Sequence, residues 1–270
     1  MASKDEVSIH HTRVCDIGQE PHKMLMPIRG YEDVPLVSLE EAVEPLVSSV
    51  PNIKDYAYVA KQRCDEEPPD GLSQDESAAI MLYFMDWPPQ QKCLYYVLNS
   101  ILRSEDRRKL ESWFRYLKLF LTALNRLPST HCAVYRGVKM DLSKHYKKGK
   151  TIVWWAFSSC TSTIEVLENE DFLGQTGTRT FFTIECDNGK DISRHSYFQF
   201  EQEVLLPPAR HFEVVSSLQA ASDLHMIQLK EVKPPIVLLQ PVTLESQSKK
   251  PVPGKKYYLF LIVNLYVYFK

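Results

Sequence analysis

The spacing of apolar residues changes at Pro128, and this change limits the folds that the chain can adopt. Before Pro128, apolar residues recur at steps of three and four, most clearly in the run Leu110, Trp113, Phe114, Leu117, Phe120, Leu121 and Leu124. Such spacing is typical of one buried face of a helix. After Pro128 the apolar residues form short runs between turn-forming residues, which is typical of β-strands. Because helices come first, strands follow and no repeated βαβ units are visible, we predict the α+β class.

Two capping boxes predict where helices begin in the first half of the chain. Ser38 and Ser73 each precede a glutamate by three residues, Glu41 and Glu76 respectively. In this arrangement each side chain bonds a backbone amide that the first helical turn leaves free. Ser104, followed by two acidic residues, is predicted to cap the longer helix that contains the run described above. We assign these helices to packing rather than to chemistry.

At least six strands are predicted after Pro128. Their ranges are Cys132–Gly137, Thr151–Phe157, Arg179–Cys186, Glu203–Leu206, Phe212–Ser216 and Met226–Val232. A cluster of hydroxyl-bearing residues, Ser158 to Ser162, follows the second strand, and Asp187-Asn188-Gly189 is predicted as a turn after the third. We therefore expect a mostly antiparallel β lobe over residues 131–235.

Charge and cysteine content limit which partners and which metal sites the chain is expected to have. The 270 residues carry a formal net charge of -2, and 44% are hydrophobic. This gives no electrostatic reason to expect a nucleic-acid partner or an anionic membrane. The six cysteines are widely spread and no pair has C-x-x-C spacing, so we predict no zinc site and no other metal site.

The two ends of the sequence indicate where in the cell the protein is expected and whether it attaches to a membrane. The first residues are polar and lack the apolar core of a secretory signal, which favours an intracellular, cytoplasmic protein with a flexible leader over residues 1–28. Tyr257 to Phe269 contains 13 uncharged residues. This is short for a transmembrane helix, which needs about 20. A glycolipid-anchor signal has this shape but would need an entry signal as well. A peripheral strand and an exposed tail both stay open for residues 236–270.

Two glutamates near the predicted fourth strand are the strongest candidates for chemistry. Glu201 and Glu203 are two residues apart, so in a strand both side chains point to the same face. Two carboxylates in one partly apolar place can differ in protonation, which suits acid–base work or a cationic transition state. A solvated strand edge would carry the same pattern, and a second E-x-E occurs at Glu168 and Glu170.

Two further features precede these glutamates in chain order. Arg136-Gly137 ends the first predicted strand, and the cluster containing Ser159 ends the second. An arginine can clamp a phosphate, a hydroxyl can bond a ribose, and a carboxylate can stabilise an oxocarbenium-like centre. Together they are typical of a site that breaks the sugar–base bond of a dinucleotide. The sequence has no G-x-G-x-x-G, no P-loop and no G-x-S-x-G motif.

These motifs carry a resemblance to a known family. The segments are YRG at Tyr135–Gly137, WWAFSSCTS at Trp154–Ser162 and FEQEVLLPP at Phe200–Pro208. In this order and spacing the chain resembles the arginine-specific mono-ADP-ribosyltransferases of the R-S-E class. The resemblance spans roughly residues 30–235. It implies a helical lobe followed by a split NAD-binding β-sandwich, the ADP-ribosyltransferase fold, with NAD+ as the co-substrate.

The resemblance also implies a role for each motif residue. Arg136, with Gly137 beside it, is expected to hold NAD+ through its phosphates. Ser159 is expected to support NAD+ and the catalytic glutamate, with Ser158 and Ser162 as alternatives because Cys160 interrupts the motif. Glu203 is the expected catalytic residue.

The residues expected to recognise the acceptor precede Glu203 in the sequence. Glu201 is expected to recognise the guanidinium of arginine. Phe200 and Tyr197 lie in the loop that matches the family's target-recognition loop, where they either contact the acceptor or pack. The expected partner is therefore a protein with an exposed arginine.

Three functions remain in competition. The leading one is transfer of ADP-ribose from NAD+ to arginine by a catalytic domain over residues 29–235. The same site with water as acceptor would make an NAD+ glycohydrolase, which the presence of Glu201 disfavours. A catalytically weak NAD-binding interaction module is the third, and loss of Arg136, Ser159 or Glu203 would have favoured it.

Overall fold

The computed structural model describes Gly18 and residues 20–170, 172–197 and 202–242. Within them the helical lobe holds five α-helices, which are α1 Leu39–Val43, α2 Ile53–Arg63, α3 Gln74–Phe84, α4 Leu94–Leu102 and α5 Phe114–Arg126. Among these described residues no helix is long and apolar enough to span a bilayer.

Both predicted capping boxes are confirmed. Ser38 caps α1 and Ser73 caps α3, and in each case the serine hydroxyl accepts from the N3 amide while the glutamate side chain accepts from the serine amide. Every residue of α3 from Glu76 to Phe84 is buried, so this helix lies at the centre of the lobe. The lone acid among them, Glu76, accepts from Arg126 of α5 at 2.8 Å, which satisfies the charge and ties the two helices together.

The predicted start of the long helix is wrong. α5 begins only at Phe114, and Arg107–Trp113 forms a 3₁₀-helix capped by Asp106 rather than Ser104. The reason lies in Arg107, whose Nη1 donates to the carbonyl oxygens of Leu102 and Ser104 at 2.7 and 3.2 Å. These bonds satisfy the end of α4 and turn the chain before α5 can start.

In the described part of the chain, seven strands follow the helical lobe. They are β1 Ser129–Val138, β2 Thr151–Trp154, β3 Ser158–Thr161, β4 Arg179–Asp191, β5 Glu203–Leu206, β6 Arg210–Ala221 and β7 Leu224–Val232. Within the described residues, only β4 and β7 pair in parallel among the named strands. The α+β class and the mostly antiparallel sheet are confirmed.

Two strand predictions need correction. The predicted turn Asp187-Asn188-Gly189 lies inside β4, because the carboxylate of Glu231 accepts from the amides of Asp187 and Asn188 at 2.6 and 3.2 Å. The predicted strand Thr151–Phe157 stops at Trp154, and the hydroxyl cluster after it forms β3. Each strand finds a different partner, since β2 pairs with β6 while β3 pairs with β1 and β5.

The strand pairing divides the sheet into two parts. Strands β1, β3, β5 and β4 form a closed circuit, because β1 pairs with β4 as well as with β3. Strands β7, β6 and β2 extend from the other side of β4. A core of aromatic and aliphatic side chains, among them Trp154, Phe182 and Phe212, fills the space beneath both parts. The hydroxyl cluster and the strand of Glu203 are therefore neighbours in the closed part.

Residues at both predicted domain boundaries pack on the fold. In the predicted leader, Leu25 and Ile28 are buried, and Glu20 makes an ion pair at 2.6 Å with Arg103, which caps the C-terminus of α4. In the predicted tail, Leu238 is buried, and Leu239 forms a parallel bridge with Ile28. Residues 20–28 therefore belong to the folded domain rather than to a flexible leader.

Candidate active site

Three adjacent strands carry the residues that the sequence singled out. On β1 and β3, Tyr135 lies opposite Thr161, and on β3 and β5, Thr161 lies opposite Glu203. Arg136 is therefore one residue from this row on β1, and Ser159 is two residues from it on β3. The strand order brings together Arg136, Ser159 and Glu203 from positions spread over 67 residues of sequence, 203 minus 136.

Arg136 is 1% exposed, and its guanidinium links two of these strands. Its Nη1 donates to the carbonyl oxygen of Ser159 at 2.7 Å. An Arg–carbonyl bond of this length is charge-assisted and fixes the position of β3 relative to β1. The predicted contact of Arg136 with phosphate stays a prediction, while the bond that the structure shows orients the backbone of Ser159.

Gly137 packs against the protein itself. A Cβ at this position would lie 2.5 Å from the Cβ of Leu173 and 3.1 Å from its Cα. Only glycine therefore allows the segment containing Leu173 to approach β1. A contact of Gly137 with NAD+ stays a prediction, and the close approach of Leu173 is a sufficient reason for glycine here.

The pKa of the Cys160 thiol depends on charged side chains of the neighbouring strands. Burial raises its pKa to about 12, the nearby guanidinium of Arg136 opposes this rise, and the carboxylate of Glu203 adds to it. Both charged side chains therefore act on one buried atom of β3. Glu203 is 6% exposed, so its charge lies where little water screens it.

The three candidate serines occupy different environments. Ser158 is 1% exposed and donates to the carbonyl of Ala156. Ser162 follows β3 and donates to the side chain of Gln202 at 3.5 Å. Ser159 is half-buried and directly precedes Cys160. Because side chains alternate along a strand, Ser159 shares a face of β3 with Thr161, the register partner of Glu203. This placement favours Ser159 over the other two.

Gln202 is a residue that the sequence did not single out. Its side-chain oxygen accepts from the hydroxyls of Ser162 and Thr163, and its backbone carbonyl accepts from the Ser162 amide at 3.3 Å. These bonds hold the start of β5 against the end of β3. The residue between the two glutamates thus anchors the strand on which Glu203 lies.

The corner between β2 and β3 is held by the helical lobe. The side-chain amide of Asn99 in α4 donates to the Phe157 carbonyl at 3.4 Å, and Glu20 Oε2 accepts from the Trp155 amide at 2.7 Å. Glu20 also binds Arg103, so one carboxylate joins both lobes beside the strand of Ser159. Glu20 had no local signal in the sequence, because it lies in a polar stretch without periodicity.

The segment after β4 is attached to the helical lobe at His195 and Tyr197. The His195 ring is 1% exposed and contacts Ser77 and Asp70, at 3.0 and 3.1 Å respectively. Tyr197 is half-buried, with the Arg63 guanidinium 4.4 Å above its ring. Tyr197 therefore packs in this structure, which is one of the two roles expected for it. Phe200 and Glu201 lie outside the described residues, so their roles stay predictions.

The arrangement can stabilise positive charge next to a sugar. A carboxylate with little water around it interacts strongly with a cation that forms beside it. Glycosidic bond cleavage forms such a cation, an oxocarbenium-like centre. Among the described residues no three His, Cys, Asp or Glu side chains group as metal ligands would. The prediction that no metal takes part is not tested by this.

Comparison with known proteins relates the chain to arginine ADP-ribosyltransferases. The chain is similar to the GPI-linked NAD(P)(+)--arginine ADP-ribosyltransferase 1 of Mus musculus, with 28% identity over 158 residues that make up 55% of this chain and 45% of the relative. It is similar to the erythroblast NAD(P)(+)--arginine ADP-ribosyltransferase of Gallus gallus, with 30% identity over 56% of this chain and 49% of the relative. The chain thus spans about half the length of these relatives.

A solved structure shows the same fold. A mutant of the eukaryotic mono-ADP-ribosyltransferase ART2.2, in complex with NAD, superposes with a TM-score of 0.55 at 18% identity. The match covers 73% of this chain and 86% of that chain. The ADP-ribosyltransferase fold expected from the sequence is confirmed. The family model for NAD:arginine ADP-ribosyltransferases matches residues 40–234, well over half of the sequence, and the chain therefore belongs to that family.

Proposed function

We propose that this protein transfers ADP-ribose from NAD+ to the guanidinium of arginine on an acceptor protein and releases nicotinamide. The observation that carries the proposal is the position of Glu203. It is 6% exposed on β5, in register with β3, whose backbone is fixed by Arg136 of β1. The family match and the names of the mouse and chicken relatives support the same activity.

In the proposed reaction the bond between the nicotinamide nitrogen and C1′ of its ribose breaks. The electron pair leaves with nicotinamide, and C1′ and the ring oxygen share the positive charge of an oxocarbenium-like centre. Glu203 bonds the ribose and stabilises this charge. Ser159 supports the sugar and the glutamate from the neighbouring strand, and Arg136 keeps Ser159 in place through its carbonyl.

The acceptor completes the reaction. A guanidinium nitrogen attacks C1′ and loses one proton, so that the product carries a new C–N bond. Guanidinium has a pKa above about 12 and is a poor nucleophile unless a carboxylate holds it and accepts a proton. Glu201, two residues before Glu203, is the proposed carboxylate on the sequence evidence alone. NAD+ glycohydrolysis, with water in place of arginine, is the second candidate for the same site.

The function is tested with NAD+ and agmatine, a small arginine mimic. Purified protein is incubated with both, and nicotinamide and ADP-ribosyl-agmatine are followed by mass spectrometry. Adduct formed together with nicotinamide supports the transferase. Nicotinamide without adduct contradicts arginine as the acceptor and favours the glycohydrolase. Neither product, with NAD+ bound, contradicts both activities and favours the interaction module. A cytoplasmic location remains a proposal that requires imaging of the full chain in cells.

A further inference from the structure

A buried histidine joins the two lobes a short distance before the catalytic strand. His195 ends the turn that follows β4, with its amide bonded to the carbonyl of Ile192 at 2.9 Å. Its Nδ1 lies 3.0 Å from the Ser77 hydroxyl of α3, and its Nε2 lies 3.1 Å from Oδ2 of Asp70. We call Asp70, Ser77 and His195 the loop clamp.

The partners determine the direction of the hydrogen bonds. The Asp70 carboxylate can only accept, so His195 Nε2 carries the proton and donates to it. Nδ1 of the neutral ring must then accept, and the Ser77 hydroxyl donates to it. The loop clamp thus uses both ring nitrogens and selects one tautomer and one ring orientation.

Further contacts with the helical lobe hold the segment around His195 in place. Asp70 has φ 61 and ψ 15, a left-handed conformation that aspartate and asparagine adopt more readily than most other residues with a side chain. The Asp70 carboxylate also accepts a hydrogen bond from the Arg194 guanidinium at 2.8 Å. Two residues after His195, the Arg63 guanidinium covers the Tyr197 ring. The helical lobe therefore contacts residues 194, 195 and 197 in turn.

The same three residue types form hydrolase triads, but the surroundings here exclude that role. Ser77 is 4% exposed and lies inside α3, whose residues from Glu76 to Phe84 are all buried. A nucleophile must reach a reacting atom, and the Ser77 hydroxyl instead lies 3.0 Å from the His195 ring inside the protein. The loop clamp is therefore a positioning device.

In the sequence, the proposed acceptor carboxylate Glu201 lies between the loop clamp and β5, both of which are held by described contacts. His195 comes six residues before Glu201 and eight before Glu203. Glu203 has its own support, because β5 pairs with β3 over four residues and with β4 at Lys190 and Asp191. Arg136 and Ser159 lie on two other elements, β1 and β3. Release of His195 should therefore disturb the approach of the acceptor more than the cleavage of NAD+.

We propose that Asp70, Ser77 and His195 are positioning residues that determine affinity for the arginine acceptor, while NAD+ binding and cleavage depend on β1, β3 and β5. This inference rests on the proposed transferase function. It assigns the helical lobe a part in acceptor specificity, in addition to the packing role that the sequence indicated.

The test compares variants of the loop clamp with a surface control. The variants are His195→Ala, His195→Gln, whose amide can replace both ring contacts, and Asp70→Asn, which keeps an acceptor and tolerates the left-handed backbone. The control is Lys54→Gln, which removes an exposed ion pair with Glu44 elsewhere in the helical lobe. For each protein we would measure KM and kcat for agmatine, KM for NAD+, and nicotinamide release without acceptor.

We expect His195→Ala to raise the KM for agmatine by about tenfold or more, because the segment before Glu201 loses its contacts with Asp70 and Ser77. His195→Gln should recover most of this change, and Asp70→Asn should fall between them. KM for NAD+ and nicotinamide release without acceptor should stay within about twofold in all variants, as should every constant of Lys54→Gln. Equal loss of both activities in folded Asp70→Asn, or unchanged agmatine KM in His195→Ala, would overturn the proposal.

A second readout separates this inference from the function on which it rests. Hydrogen exchange of residues 192–197 should accelerate in His195→Ala relative to wild type, while exchange of β5 stays unchanged. Absence of adduct with the wild-type protein would contradict the transferase. Unchanged exchange at residues 192–197 in His195→Ala would overturn the loop clamp whatever the activity of the wild type.

Discussion

Glu20 accepts a hydrogen bond from the backbone amide of Trp155 at 2.7 Å, although the two residues are 135 positions apart in sequence. The other oxygen of the same carboxylate binds Nε of Arg103 at 2.6 Å, and both charged side chains are nearly excluded from water. A buried carboxylate with donors from two lobes keeps the lobes in register, because each lobe would otherwise leave a polar group without a partner.

Glu20→Ala should lower the free energy of unfolding by about 3–5 kcal/mol, since it leaves Arg103 buried without its counter-charge. Lys23→Ala removes an ion pair from the same segment, with Glu105, but its side chains are 61% and 66% exposed. That variant should change stability by about 0–1 kcal/mol. Urea denaturation of both variants and wild type measures the difference. Equal effects would show that Glu20 is not a link between the lobes.

Glu203→Gln should abolish both ADP-ribose transfer and NAD+ cleavage, with a loss of about a thousandfold or more. Glutamine has the same shape but no charge, so the oxocarbenium-like centre loses its stabilising partner. The fold should persist, because the substitution keeps the volume of a side chain that is 6% exposed. Nicotinamide release measures the activity, and thermal unfolding serves as the control for structure. Residual cleavage above one tenth of wild type would rule out Glu203 as the catalytic carboxylate.

Glu201→Gln should separate the two activities. We expect transfer to agmatine to disappear while some NAD+ hydrolysis remains, since a neutral amide can neither hold a guanidinium by charge nor accept its proton. Adduct and free ADP-ribose are quantified in the same reaction. If both products fall to the same extent, Glu201 does not have a separate role in acceptor recognition.

Stability should decrease in mild acid because of two buried histidines. Burial lowers the pKa of His195 and of His211 below 6.5, although Asp70 partly counteracts this for His195. As pH falls below 6.5, the unfolded chain binds these protons before the folded protein does, which favours unfolding. Each histidine contributes a slope of up to about 1.4 kcal/mol per pH unit in that window.

Chemical denaturation between pH 7.5 and pH 5 tests this dependence. His211→Gln should flatten the dependence by the share of one histidine. His131→Gln should not, because that histidine is 74% exposed. A stability that rises on acidification from pH 6.5 would contradict the assignment.

Local sequence was sufficient for the features whose partners lie close in the chain. Both capping boxes were predictable because the serine and its glutamate are three residues apart. The three motif residues could be placed in order because strand periodicity locates Arg136, Ser159 and Glu203 near strand ends. Their proximity depends on β3 lying between β1 and β5, which strand periodicity does not show.

Features that depend on distant partners were missed. Asp187-Asn188-Gly189 has the composition of a turn, yet Glu231 accepts from two of its amides and keeps it extended within β4. Glu20 and Asp70 lie in polar stretches without periodicity, and each has partners more than eighty residues away. Nothing in a local window distinguishes such a carboxylate from a solvated one.

The bridge between Ile28 and Leu239 has a consequence for how the protein is made. The Ile28 amide donates to the Leu238 carbonyl at 2.7 Å, and the Gln240 amide donates to the Ile28 carbonyl at 3.1 Å. During synthesis from the first residue onward, Ile28 has no partner until residue 240 leaves the ribosome. A protein shortened after residue 235, where the sequence pattern placed the end of the domain, would never form this bridge. Expression of the intact folded unit therefore requires a chain that continues through at least Val242, whose side chain is itself buried.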